Sequence, residues 1–208
     1  MPKIKQSPKL PPEERREQLL CAAKKLFVKK GYRGTTADEI ARKAGLTKGA
    51  LYYHFKKKED ILFALVQQMC NEHGRAMDAL KGASQKPVDI LKVMTRVYDE
   101  REMADYRQVV DIWAQAIRIP RIKRFLADEY VQAIDDIESR LDKRFGRGGK
   151  MRRHLAIFTV ALHEGLAVHK MINPDLVDIP AQVRLFERML EAIETPSGQK
   201  RKKRGVGK

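Results

Sequence analysis

Residues 36–58 read TADEIARKAGLTKGALYYHFKKK, and the way this stretch divides into two short helices decides the fold of the chain. Thr36 is followed three residues later by Glu39, the spacing at which a Thr side chain caps a helix start while the Glu reaches back to the cap's own amide. A helix therefore begins here. Ile40, Ala41 and Ala44 give it an apolar side at helical spacing, and Gly45 supplies the backbone freedom a helix stop needs. Thr47 caps a second helix carrying Lys48, Gly49, Ala50, Leu51, Tyr52, Tyr53 and His54, in which only Leu51 and then Phe55 look like packing residues. A short helix with so few apolar anchors needs another task for its outer side. Helix, glycine-containing turn and helix with a polar outer face is the helix-turn-helix arrangement, whose second helix enters the DNA major groove. Spacing alone leaves a solvated helical hairpin open as the plainer alternative.

The order of residues narrows this. The longer stretch GYRGTTADEIARKAGLTKGALYYHFKKKEDIL resembles the DNA-binding domain of TetR-family transcriptional repressors. The likeness includes the Gly-Tyr ending the first helix, the Thr-Thr opening the second, the Ala-Gly-Leu turn, the Lys-Gly before the recognition helix, Leu-Tyr-Tyr-His-Phe, and a Lys-Glu-Asp start to the fourth helix. It covers residues 13 to 66; beyond them only the layout of helices is similar. Position by position, the resemblance implies that Thr36 with its neighbouring amides, Tyr53, His54 and Lys58 hold phosphates. It also implies that Lys48, Gly49 and Tyr52 lie closest to base edges, with Thr47 capping the recognition helix and touching phosphate. Ala50 stands where family members often have a polar residue, so direct base readout per half-site should be thin.

Charge supports polyanion binding at the two ends of the chain. The net charge of +16 divides into +9 over residues 1–60, +1 over 61–194 and +6 over 195–208. Basicity is thus confined to the helix-turn-helix region and the tail, as expected if only the ends meet phosphate. The same distribution keeps a nonspecific DNA-compacting protein open as the second reading. Cys21 and Cys70 are too few for a disulfide framework and lack metal-ligand spacing, which suits a reducing cytosol. No apolar run looks long enough to span a bilayer, so the expectation is a cytoplasmic protein with no membrane partner. His163-Glu164 is followed by a histidine only at His169, which breaks the spacing of a metalloprotease helix. With no phosphate-binding Gly loop and no nucleophile elbow either, neither enzyme, metal nor cofactor is expected.

The expected fold class is all-α, in four parts. Residues 1–12, rich in proline and lysine, should form a flexible basic arm, with Lys3, Lys5 and Lys9 either trailing along DNA or merely solubilising. Residues 13–58 form the helix-turn-helix domain; its first helix opens near Pro12, stops at Gly31 and covers the rest with Leu19, Leu20, Ala23, Leu26 and Phe27. Residues 59–194 form a helical bundle, with helices near 87–102, 104–118, 121–145, 149–172 and 180–194 separated by proline and glycine breaks. Residues 195–208 form a disordered basic tail that raises affinity for polyanions in general.

Two bundle helices look too apolar to serve one core. Leu155 to Val168 is apolar nearly all round, and Val183, Phe186, Leu190 and Ile193 form a second stripe, flanked by Leu185 and Met189. They are either the bundle's centre or, as the resemblance implies, a homodimer interface built from Phe158, Ala161, Leu162, Gly165, Val183, Phe186, Leu190 and Ile193. Met94, Tyr98, Met103, Tyr106, Trp113, Phe125, Tyr130, Phe158 and His163 are adaptable or aromatic residues that suit ordinary core or a ligand pocket. In TetR-like proteins this domain takes a small-molecule effector, here expected to be apolar or amphipathic, such as an acyl-CoA. The partners expected are double-stranded DNA, a second copy of the chain and that effector.

Overall fold

The structure, a computed structural model, describes residues 11–78, 89, 110, 114–115, 118–145 and 149–194. Among these residues every regular element is an α-helix: α1 Pro12–Lys30, α2 Ala37–Lys43, α3 Lys48–His54, α4 Lys58–Asp78, α5 Pro120–Phe145, α6 Lys150–Ile172 and α7 Ile179–Glu194. They fall into two compact units, one of residues 11–75, 110, 114–115 and 118–129, the other of 76–78, 89, 130–145 and 149–194. The expected helices at 87–102 and 104–118 lie almost wholly outside the described residues.

The first unit is built around α1. Pro12 occupies the first turn, where a missing amide costs nothing, and Glu13 and Glu14 sit at the positive end of the helix dipole. Leu19, Leu20, Ala23, Leu26 and Phe27 are buried as their spacing requires, together with Ala22. They pack with Ile40 and Ala41 of α2, Leu51 and Phe55 at α3, Ile61, Leu62, Ala64, Leu65 and Val66 of α4, and Ile122 of α5. Gly31 closes α1 at φ 72°, its amide donating to the Phe27 carbonyl.

Among the described residues, the core of the second unit joins three helices. Ile137 and Leu141 of α5 meet Leu155, Ala156 and Val160 of α6 and Val183, Phe186 and Leu190 of α7. This corrects the direction of the α7 stripe. Val183, Phe186 and Leu190 recur at i, i+3 and i+7 and are buried within the protomer, whereas Leu185, Met189 and Ile193 face outward. Helical periodicity names a stripe but not its partner, and here the three-helix core uses the stripe itself.

The same helices overturn a second expectation. By length and composition α6 is long and apolar enough to cross a membrane. Its buried stripe of Leu155, Ala156, Thr159, Val160, His163, Leu166 and Ala167 nevertheless makes it a core helix of this unit, while Ile157 and Phe158 remain exposed.

Candidate nucleic-acid interface

Local chemistry sets both ends of the two short helices. The Thr36 hydroxyl accepts from the Glu39 amide at 3.2 Å while the Thr36 amide donates to Glu39 Oε2 at 2.9 Å, a complete capping box. A cap of this kind is worth about 1 kcal/mol. Glu39 also accepts from Lys30 Nζ at 2.5 Å, which ties α2 back to the end of α1. The Lys30 bond first, and then the bonds from Thr36, hold the Glu39 carboxyl down at a pKa of about 2.

The turn between the helices is equally specified. Gly45 adopts φ 69°, its amide donates to the Arg42 carbonyl at 3.1 Å, and the Leu46 amide reaches the Ala41 carbonyl at 2.9 Å. These paired bonds form a Schellman stop, in which a residue with a Cβ at Gly45 would be strained. Thr47 then caps α3, its hydroxyl accepting from the Ala50 amide at 3.2 Å.

Within α3 only Leu51 is buried, at 0% exposure. Tyr53 is 75% exposed and Tyr52 39%, and the Tyr53 ring meets His54 edge-on with centroids 5.1 Å apart. Lys48 Nζ lies 2.9 Å from Asp38 Oδ1, an exposed pair between α2 and α3 that raises the lysine pKa through the hydrogen bond to Asp38. A Cβ placed on Gly49 would meet nothing nearer than Thr47 Oγ1 at 3.9 Å, so the protein's own packing does not require glycine there. Thr47, Lys48, Gly49, Tyr52, Tyr53 and His54 thus lie on α3 and its cap, held by the buried Leu51, and Thr36 lies at the cap of α2.

Lys58 departs from its expected place. Its ammonium donates to the carbonyls of Tyr32 at 2.8 Å and Thr35 at 2.7 Å and sits 4.3 Å from the centroid of the Tyr32 ring. Partial burial pulls its pKa below the ordinary lysine value. Two carbonyls thus hold the cation that the resemblance assigns to phosphate.

Several residues that shape this face were not legible as such. Gly34 has no room for a side chain, since a Cβ there would approach the Lys30 carbonyl oxygen to 2.5 Å. Asp60 caps α4 by accepting from the Lys57 amide at 3.1 Å, and its other oxygen accepts from Arg121 at 2.9 Å. The Arg121 guanidinium also lies 4.0 Å from the Phe63 ring centroid.

Among the described residues, those expected to line an effector pocket fall in both units. Met94, Tyr98, Met103, Tyr106 and Trp113 lie outside the described residues. Phe125 belongs to the first unit, edge-on to Phe63 at 5.3 Å. In the second unit Phe158 is 46% exposed, against the expectation of an interior residue, and its ring lies 6.2 Å from that of Phe186. Tyr130 and His163 do face the interior: His163 is buried, and Tyr130 packs on the core while its hydroxyl donates to Glu164. Burial raises the pKa of Glu164, with the Tyr130 bond opposing. Of the expected interface residues, Phe158, Ala161 and Ile193 are exposed, Leu162 and Gly165 are half-buried, and Val183, Phe186 and Leu190 are interior.

Residues 19–65 match the family model described as bacterial regulatory proteins, tetR family, and residues 90–194 match that described as BetI-type transcriptional repressor, C-terminal. The uncharacterized HTH-type transcriptional regulator YvkB of Bacillus subtilis is 28% identical over 179 residues, covering 82% of this chain and 90% of that protein. The HTH-type transcriptional regulator TtgR of Pseudomonas putida is 35% identical over 92 residues, covering 42% of this chain and 43% of that one. A transcriptional regulator from Saccharomonospora viridis, solved in complex with choline, shares the fold at a TM-score of 0.72 and 18% identity, over 86% of this chain and 96% of that one. The SmeT–triclosan complex does so at 0.67 and 24%, over 89% and 93%.

Proposed function

Because the chain belongs to the TetR family of bacterial transcriptional regulators and is thereby a DNA-binding regulator, we propose that it is a homodimeric repressor of a palindromic operator, released by a small apolar or amphipathic effector. The observation that carries this reading is α3, a capped helix that buries Leu51 alone and turns two tyrosines outward. A helix so little engaged by its own protein is free to enter a groove. In this reading Lys48, Gly49 and Tyr52 approach base edges, the open space beside Gly49 admitting the DNA closely. Thr36, Thr47, Tyr53 and His54 hold phosphates, which position the protein without specifying sequence.

Dimerisation rests on the outward apolar residues of α6 and α7, namely Ile157, Phe158, Leu185, Met189 and Ile193, with Ala161, Leu162 and Gly165 beside them. Exposed apolar residues concentrated on two adjacent helices fit a self-complementary patch across a twofold axis. The effector belongs to the second unit, with Tyr130, Glu164 and His163 supplying polar groups within an apolar surround. Choline and triclosan, held by two proteins of this fold, join an acyl-CoA as the first compounds to try. The site of action is the cytoplasm, where chromosomal DNA is reached.

Selection of bound fragments from a genomic library tests the function. Recovery of a few sites with twofold symmetry supports the repressor; even recovery across the genome supports nonspecific compaction instead. A thermal-shift screen tests the effector, and stabilisation by sugars or metal ions alone would remove the apolar class.

A further inference from the structure

We propose that Lys58 is a positioning residue that locks the loop ahead of α2, so that the capped start of α2 meets the DNA backbone, and that it is not itself a phosphate anchor. The inference rests on the DNA-binding reading above. Lys58 stands in the first turn of α4, yet both carbonyls it binds lie in the loop after α1, 26 and 23 residues away in sequence. The Tyr32 carbonyl faces two donors, the Lys58 ammonium and, at 3.4 Å, the Thr35 amide. Thr35 is itself buried, its hydroxyl donating to the Gly31 carbonyl at 3.0 Å and lying 3.4 Å from that of Leu26.

The loop is thus held from three sides: by Thr35 against α1, by Lys58 from α4, and by the tight passage at Gly34, which admits no side chain. Thr36, the cap of α2, follows directly. An ammonium has three donors, and a lysine placed to catch phosphate leaves them to solvent; here two serve carbonyls and the Tyr32 ring lies beside the charge. Lys48 makes the contrast. It is exposed and, among the described residues, pairs with the equally exposed Asp38, an arrangement a phosphate or base can displace at small cost.

Lysine acylation of the full-length protein, read by mass spectrometry with and without DNA, tests the assignment on the native chain. The DNA is a fragment recovered in the selection above or, failing recovery, sheared genomic DNA. Lys58 should react slowly in both states, and Lys48 quickly alone and slowly with DNA. Fast reaction of Lys58 in the free protein, slowed by DNA, would overturn the proposal. Loss of the Lys48 protection alone would instead count against the placement of α3. The variant Lys58→Met keeps the stem and removes the charge. It should weaken binding roughly tenfold, as expected for the loss of charge-assisted hydrogen bonds, with the slope of log affinity against log salt unchanged. A direct phosphate contact would lower that slope by about 1 per half-site. The Lys58→Met loss should also shrink when Thr36 is already Ala, because coupled positions are not additive; full additivity would sink the link to Thr36. Should Lys58→Met fail to fold, the acylation pattern of the native chain decides.

Discussion

The two units solve the problem of a small core in opposite ways. In the first, short helices are pinned by individual polar bonds, namely the Thr36–Glu39 box, the Lys30–Glu39 bridge, the Lys58 ammonium and the Asp60 cap. Its exposed residues on α3 are mostly polar or polar-tipped. In the second, three long helices among the described residues share a mainly apolar core and still leave Ile157, Phe158, Leu185, Met189 and Ile193 in solvent. Seven-residue helices such as α2 and α3 gain little from propensity and depend on caps and tertiary ties. Long helices form readily and have apolar surface to spare. The first unit is therefore complete as a protomer and presents chemistry outward, and the second presents hydrophobicity.

The proposal that this surplus is dimer interface offers the largest effect with which to break the contrast. Phe158→Asp removes an exposed phenyl ring from both copies at once, and burying a Phe side chain is worth roughly 1.5 to 3 kcal/mol per copy. Sedimentation should show the dimer weakened at least a hundredfold, with helical content kept because the ring is not part of the protomer core. A variant that stayed dimeric would show that the second unit's apolar face has another use.

Leu51→Ala probes the first unit at its most economical point. As the single buried residue of α3, Leu51 carries the helix, and truncating a buried Leu costs about 2 to 5 kcal/mol. Denaturation should lose about that much, and DNA binding should fall with it. A loss under about 1 kcal/mol would mean that α3 is held chiefly by its polar ties.

Much of this contrast was legible before any coordinates, for reasons that are local. A capping box, a Schellman glycine and a count of apolar residues in seven all involve neighbours within five positions, so Thr36, Gly45 and Leu51 declared themselves. The bonds of Lys58 to Tyr32 and Thr35, and the Asp38–Lys48 pair ten residues apart, join elements whose arrangement no short window encodes. Likewise the i, i+3, i+7 pattern of Val183, Phe186 and Leu190 announced burial without saying against what, and an aromatic such as Phe125 gave no sign of which unit it served. The sequence reading erred where one pattern fits two partners.

Thr36→Ala sharpens the comparison by removing one polar tie. Losing the cap should cost about 1 kcal/mol in urea denaturation. Glu39 supplies the pH signature: its folded pKa of about 2 lies below the ordinary carboxylate value, so its contribution is complete above that ordinary value and is lost as pH falls toward 2. The variant, lacking part of that hold, should lose less stability over the same acid range. Equal acid slopes would show that the Thr36 hydroxyl adds nothing to the hold that Lys30 and the residue-36 amide have on Glu39.

The smallest expected effect lies in the second unit and has the opposite sign. Burial lifts the Glu164 pKa, although the Tyr130 hydroxyl bond favours the carboxylate. The folded state therefore binds this proton more tightly than the unfolded chain does. Stability from the group is full below the ordinary carboxylate pKa and is lost as pH rises through the raised folded value. Glu164→Gln keeps an oxygen to accept from Tyr130 but never ionises, so it escapes that loss. Its melting temperature should match the parent's in acid and exceed it increasingly toward neutral pH, by less than the capping loss above. If the gap between the two proteins did not widen with pH, burial would not be controlling Glu164.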